Sequence, residues 1–426
     1  MSTIIFKASA RNELFRTVLN LYYWEIGTMK KILLQGFYGE DNLGDDYILL
    51  SIIDSLKNID NIHIDCLVSK NVYNIFMQKY KYITFIEKNK NRIYNQLIHC
   101  KLIIKNDYWI IGGGGLFPTE NIKALFVYTF KIILASILKK KVILYGIEIN
   151  SIEKNISKSL WKAIINIVDF ISTRNKQTKN LLVNLDSTFT KKVFNYSDVT
   201  FALQTDKEFF TQDSISDIKH FSGLPTPYIL WGLAMPWNPA ELETAHYQER
   251  YERLCNQIAK ICDYSINYTH VFLPFYYNSD MVFIADVVKK IKSPYLIIDK
   301  KSSINLDEKR LIFKYADFCF CMRYHSVLFA LYHEKPFFSI SYSPKTSWFL
   351  QEYSLDDRFV EIGVRQNDFF MKEFDIDTLV LVEKAIKAIS FNDNDEKAIH
   401  NASQNAKHLA YLGKKQLLDW LDSEHD

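Results

Sequence analysis

Apolar runs of strand length alternate along this chain with helix-periodic stretches, joined by small or polar residues. A short apolar strand at 32–35 runs into Gly36-Phe37-Tyr38-Gly39-Glu40-Asp41-Asn42-Leu43-Gly44-Asp45-Asp46 and an apolar helix over 47–56. Further strands read at 62–68, 83–85, 109–111 and 142–147, and the segment 170–178 reads as strand into helix. A second series follows: strands at 228–234, 270–275 and 295–298, a helix over 307–316, a strand at 318–322 and a helix over 326–332. Pro336 and Pro344 punctuate the strand after it, and helices at 379–389 and 398–421 close the chain. Unbroken apolar strands separated by helices predict an α/β protein with parallel sheets covered on both faces. The 426 residues exceed one ordinary core and suit two domains. The boundaries read as an N-terminal extension 1–28, a first domain 29–205, a linker 206–227 carrying Gly223, Pro225 and Pro227, a second domain 228–395 and a C-terminal helix 396–426.

Parallel sheets place their ligands beyond the carboxyl ends of their strands. Arg323, His325 and Lys345 fall at such ends. Two permanent cations and an imidazole there describe a site for a small anion. Singly, each reads as a solvated charge or a helix cap; together at strand ends they read as a site. Gly112-Gly113-Gly114-Gly115 after a buried strand lets backbone N–H groups approach an anion or a glycan. The loop at 36–46 is acidic and would repel a phosphate, so Asn42, Gly44 and Asp45 are assigned to sugar hydroxyls. Asp45 reads either as a helix N-cap or as a functional carboxylate. An EF-hand is excluded by the spacing of its oxygens and glycine.

Composition narrows the field. The chain is 48% hydrophobic and 15% aromatic, so it can bury a core. A net charge of +3 offers no electrostatic basis for nucleic-acid binding. The six cysteines hold no C-x-x-C pair, which points to buried thiols in a reducing compartment and away from zinc. No secretion-signal layout and no run of 18 apolar residues is present. Residues 1–28 have a modest amphipathic pattern, and either form a helical extension or precede a natural start at Met29. The apolar stretch 125–138, ending in Lys139-Lys140-Lys141, reads either as a helix buried against its sheet or as an interfacial helix whose lysines meet anionic lipid.

The run Arg323-x-His325-Ser326, followed by Ile340-x-Tyr342-x-x-Lys345, resembles the C-terminal signature of the polysaccharide pyruvyl transferase family. Asn42-x-Gly44-Asp45-Asp46 is similar to its Asn-x-Gly-Asp-Glu motif, with Asp46 in place of Glu, and Gly113-Gly114-Gly115 to its glycine step. Ser172-x-Arg174-Asn175-x-x-Thr178 resembles its Ser-x-Arg-Asp-x-x-Ser, with two replacements, and Ser197-Asp198 its Asp-containing step. The resemblance covers roughly 29–390. It implies two Rossmann-like domains facing a cleft, as in glycosyltransferase-B proteins, with the acceptor on the first domain and phosphoenolpyruvate on the second. It further implies transfer of the enolpyruvyl group of phosphoenolpyruvate onto a sugar of a cell-surface polysaccharide or its lipid-linked precursor, giving a pyruvate ketal and phosphate, with no cofactor.

Such a reaction needs an acid for the enol methylene, cations for the donor's anions and a base for the attacking hydroxyl. His325 suits the acid and Asp45 the base. Arg174, Arg323 and Lys345 suit the anion grip, and Asn42, Gly44, Gly113, Gly114, Gly115 and Tyr342 complete the substrate-binding set. A nucleotide-sugar-dependent glycosyltransferase of the same fold is the alternative. It is disfavoured because no segment of the second domain places glutamates for a nucleotide ribose, and because Asp375-Ile376-Asp377 and Asp393-Asn394-Asp395 read as caps or turns. A non-catalytic assembly protein at a membrane surface is a third class, opposed by the intact set Asp45, Arg323, His325 and Lys345. The expected location is cytoplasmic, with peripheral contact at the inner face of the membrane.

Overall fold

The computed structural model describes residues 29–69, 80, 82–117, 121–203, 224–236, 245–298, 306–366, 369–372 and 378–423. The extension 1–28, linker residues 206–223 and Asp375-Ile376-Asp377 lie outside the described residues. Strands β1 (Lys30–Gln35), β2 (Ile62–Val68), β3 (Ile83–Glu87), β4 (Tyr108–Gly114), β5 (Lys141–Ile147), β6 (Phe170–Thr173) and β7 (Val193–Asn195) form one parallel sheet. Its order is β3-β2-β1-β4-β5-β6-β7. Strands β8 (Tyr228–Gly232), β9 (Thr269–Phe272), β10 (Tyr295–Ile297), β11 (Phe318–Cys321), β12 (Phe337–Ser341) and β13 (Phe359–Glu361) form a second, in the order β10-β9-β8-β11-β12-β13. Both orders step outward from their first strand and then reverse, which is the doubly wound Rossmann pattern. The expected α/β fold with two Rossmann-like sheets is therefore present. A short antiparallel hairpin, β14 (Val364–Gln366) with β15 (Phe369–Lys372), had no counterpart in the hydrophobic pattern.

Each sheet is covered on both faces, as its strands demand: Leu33, Leu34, Ile110 and Ile111 are fully buried, although neighbours along a strand point to opposite faces. Helices α1 (Leu43–Leu56), α2 (Arg92–Lys105), α3 (Ile122–Ile137), α4 (Asn155–Ile167) and α5 (Lys176–Val183) accompany the first sheet. Helices α6 (Ala245–Tyr264), α7 (Tyr277–Val288), α8 (Leu306–Tyr315), α9 (Tyr324–Tyr332), α10 (Pro344–Glu352) and α11 (Thr378–Ile389) accompany the second. The thiols behave as expected: all six are unpaired and five are buried.

Two helices differ from their sequence reading. The last one, α12 (Asp393–Ser423), starts three residues before the expected boundary, because the Asn392 carboxamide accepts from the backbone N–H groups of Asn394 and Asp395. Helix α3 buries only one side, through Leu125, Ile132 and Ala135, and leaves Phe126, Phe130, Ile133 and Ile137 exposed. It is thus not a helix sandwiched between sheet and neighbour. Its lysine end is also mostly neutralised, since Lys140 pairs with Asp107 and Lys141 with Asp169, leaving Lys139 exposed.

Several contacts join the two halves. The backbone N–H of Leu43 donates to the Phe275 carbonyl (2.9 Å), and the rings of Tyr47 and Phe329 meet edge to face at 4.6 Å. The Tyr353 hydroxyl bonds that of Ser197 (2.9 Å), and Tyr332 donates to the Leu203 carbonyl (3.0 Å). Helix α12 returns across both halves, and the buried Lys30 ammonium donates to the Leu421 carbonyl (2.8 Å) and pairs with Asp422 (2.9 Å).

Candidate active site

A cavity of about 760 Å³ lies between the carboxyl ends of the two sheets. Its wall holds Asn42, Asp45, Gly114, Gly115, Arg174, Arg323, His325, Tyr342 and Lys345, nine of the expected site residues brought together from both halves. The other two, Gly44 and Gly113, stand behind the wall. A Cβ on Gly44 would overlap the His325 ring, so this glycine is the seat of the imidazole. Gly113 has φ +76° and is packed on Ile48, whereas Gly114 (φ +75°) would put a Cβ 3.2 Å from Asp45 Oδ1. We predict that Gly44→Ala displaces His325 and lowers turnover at least tenfold with the fold intact, checked by activity beside far-UV circular dichroism.

Helix α1 delivers the first carboxylate. Its N-cap is Asn42, whose Oδ1 accepts from the Gly44 N–H (3.2 Å) and whose Nδ2 donates to Asp45. Asp45 is therefore in the first turn and is not the cap, which frees its carboxylate to face the cavity. Burial pushes its pKa up to about 6, against the pull of Lys345 and Arg174. Asp46 turns away and accepts from the Gly39 N–H (2.7 Å).

The step from β11 into α9 delivers the rest. Arg323 sits at the N-cap with extended backbone, and Tyr324 and His325 occupy the first helical turn, two residues earlier than the apolar pattern placed the helix. The guanidinium of Arg323 is gripped by the fully buried Asp280: Nε donates to Oδ2 (3.1 Å) and a terminal nitrogen to Oδ1. It also donates to the Tyr342 hydroxyl (3.1 Å) and to Ser279 Oγ (3.2 Å). Asp280 itself accepts from the backbone N–H groups of Phe275 (3.1 Å) and Tyr276 (2.8 Å).

Arg174 is buried between two carboxylates, Glu148 and Asp198, the latter at 3.0 Å. Its charge is thus already matched, which leaves less of it for an incoming anion than the sequence reading assigned. It stacks 4.3 Å above the ring of Tyr324, whose other cationic neighbour is Lys345 at 5.7 Å. Lys345 has no carboxylate at ion-pair distance among the described residues, so its ammonium is the cation best placed to meet an anion.

His325 lies among these charges. Burial, with Arg174, Lys345 and Arg323 close by, pushes its pKa down to about 3, and only Asp198 pulls the other way. The ring is therefore neutral in the free cleft. Its Nε2 is buried without a hydrogen-bond partner, as are the Tyr324 hydroxyl and Arg174 Nε. Three such orphans on one wall mark where ligand atoms belong.

The far half of the cavity was not anticipated. Lys131 of α3 turns inward and donates to His99 Nδ1 of α2 (2.7 Å). Burial brings Lys131 down to about 8, and burial with the adjacent ammonium takes His99 down to about 3. Gln35 links Trp109 Nε1 (3.1 Å) to the Tyr128 hydroxyl (3.3 Å), and Lys88 pairs with Glu40 (2.7 Å). Lys131 had read, with Ser136, only as a break in the apolar stretch 125–138. Standing four residues before the buried Ala135, it falls on that residue's face of the helix, a signal available in the sequence.

A family model for polysaccharide pyruvyl transferase matches residues 42–344. No curated protein matches the sequence significantly. Among solved structures, UDP-GlcNAc 2-epimerase from Methanocaldococcus jannaschii is similar with a TM-score of 0.57 and 16% identity, over 90% of this chain and 98% of that one. The Neisseria meningitidis UDP-GlcNAc 2-epimerase bound to UDP-GlcNAc gives 0.55 and 12%, over 91% and 100%. Anabaena HepE in complex with UDP-glucose gives 0.53 and 11%, over 93% and 100%. At such identities the likeness is one of fold, the glycosyltransferase-B arrangement of two facing sheets.

Proposed function

The chain belongs to the polysaccharide pyruvyl transferase family, and on that footing we propose that the cavity transfers the enolpyruvyl group of phosphoenolpyruvate to a sugar as a cyclic ketal, with phosphate released. The observation that carries this reading is the convergence of Lys345, Arg323, His325 and Asp45 on one wall, with no carboxylate at ion-pair distance from Lys345 among the described residues. Lys345 and the Arg323–Tyr342 edge hold the donor's anionic groups. Their arrival offsets the cations that suppress His325, so its pKa rises and the ring takes up a proton when the donor binds. The imidazolium then protonates the enol methylene, and C2 becomes oxocarbenium-like. One sugar hydroxyl adds to C2 and gives its proton to Asp45. The C2–O bond to phosphate breaks, the second hydroxyl closes the ketal, and its proton leaves with the phosphate. No cofactor enters this balance. The polar far half around Lys131, His99, Gln35 and Tyr128 receives the acceptor, which we take to be a lipid-linked glycan.

Incubation with phosphoenolpyruvate and a panel of lipid-linked sugars should release phosphate, and phosphoenolpyruvate should raise the melting temperature by mass action. Release of a nucleotide from a UDP- or GDP-sugar instead would favour the glycosyltransferase alternative. The pH profile should fall on its acid side as Asp45 is protonated, with an apparent pKa of about 6. Lys345 lowers that value, so Lys345→Met should move the acid limb to higher pH. An unmoved limb would separate Asp45 from the base role.

A further inference from the structure

We infer that the outer face of α2 and α3 is a docking surface for an anionic lipid bilayer, which brings the cavity to the membrane plane. This rests on the proposed lipid-linked acceptor. Along α3 the exposed residues Phe126, Phe130, Ile133 and Ile137 recur every three to four positions, a single apolar stripe opposite the stripe that meets the sheet. On α2, Ile93 and Leu97 do the same, at 73% and 64% exposure. The Lys131–His99 bond ties the two helices together, so the stripes lie side by side. Large contiguous apolar area of this kind marks an interaction face.

Charge chooses the occupant. The 14 residues of α2 and the 16 of α3 include no Asp or Glu. Lys101 and Lys123 stand exposed on them, and Lys90 and Lys139 stand exposed just beyond their ends. Apolar residues rimmed by lysines suit acyl chains beneath anionic headgroups. A two-fold contact with a second copy would set lysine against lysine, which disfavours self-association. Position agrees as well. Val127 and Asn95 line the cavity, while their neighbours Phe126 and Leu97 are exposed without lining it. An acceptor held by its lipid would thus meet the cavity mouth from the side of these helices. Membrane attraction resides in the α2–α3 face; the lysine triplet read from the sequence contributes Lys139 alone.

The full chain should co-sediment with phosphatidylglycerol-containing vesicles, less in high salt and little with phosphatidylcholine alone. The double variant Phe126→Asp/Phe130→Asp should bind at least tenfold less at unchanged melting temperature. Its phosphate release with a soluble acceptor analogue should stay at the wild-type level. Equal binding by both proteins, or none by either, overturns the inference. So does a wild-type dimer that the variant abolishes, which would give the face to a second copy. Binding that appears only in a chain starting at Met29 would give it to residues 1–28. Vesicle binding needs no turnover, so failure of the proposed reaction leaves this result readable.

Discussion

His325→Asn lowers kcat/KM for phosphoenolpyruvate-dependent phosphate release by roughly 10²–10⁴-fold, the range general acid catalysis supplies. The melting temperature stays near that of the wild type, because the buried Nε2 of the ring makes no hydrogen bond that the fold would lose. A second reading distinguishes proton transfer from packing. The wild type takes up protons on binding the donor, since the ring is neutral beforehand and the anion offsets Arg174, Lys345 and Arg323. Calorimetry in buffers of different ionisation enthalpy measures that uptake, and in the Asn variant it disappears. Full activity in the variant, or the same proton uptake, would remove His325 from the mechanism.

Asp280→Ala acts through both stability and activity. The carboxylate is fully buried and holds Arg323 along one edge together with the backbone N–H groups of Met235, Phe275 and Tyr276. Removing one partner from such a pair leaves the other charge uncompensated, at a cost of about 3–5 kcal/mol. Denaturant unfolding should show the loss directly. Asp280→Asn keeps the shape and part of the hydrogen bonding, and should cost less stability. Its freed guanidinium should still loosen donor binding, because Arg323 no longer has a fixed edge to present beside Tyr342. A donor KM unchanged in the Asn variant would show that Arg323 needs no such support.

The parts of the site legible in the sequence are those where local chemistry and position coincide. Arg323 and His325 follow an apolar run that could only be a buried strand, so their place at a strand end was fixed by two-residue arithmetic. Gly113 and Gly114 announced backbone that only glycine enters readily, and their positive φ values agree. What could not be read is pairing over distance. Glu148 and Asp198 reach Arg174 from separate segments, 26 and 24 residues away, and Asp280 reaches Arg323 across 43. Asp198 was therefore legible only as a motif residue without a partner, and Arg174 looked freer than it is. Tyr324 was hidden by its own hydrophobicity: between two cations its ring is part of the wall, yet in the sequence it continues the apolar pattern. In α2 and α3 the apolar residues on the outer face blurred the helical stripe, so α2 was passed over and α3 was read as buried or as a lysine-led anchor.

The contacts between the halves bear on how substrates arrive. A backbone bond from Leu43 to Phe275 crosses at the base of the cavity, and α12 spans from the second half to Lys30 at the start of the first strand. Swinging the halves apart would break buried bonds at both places. Opening the cleft in this way therefore carries the cost of those bonds. On the proposed reading, a terminal sugar at the end of a tether would enter without opening the cleft more readily than an internal unit of a finished polymer. On that reading, pyruvylation would then fall at the growing tip of a glycan, before further sugars cover it.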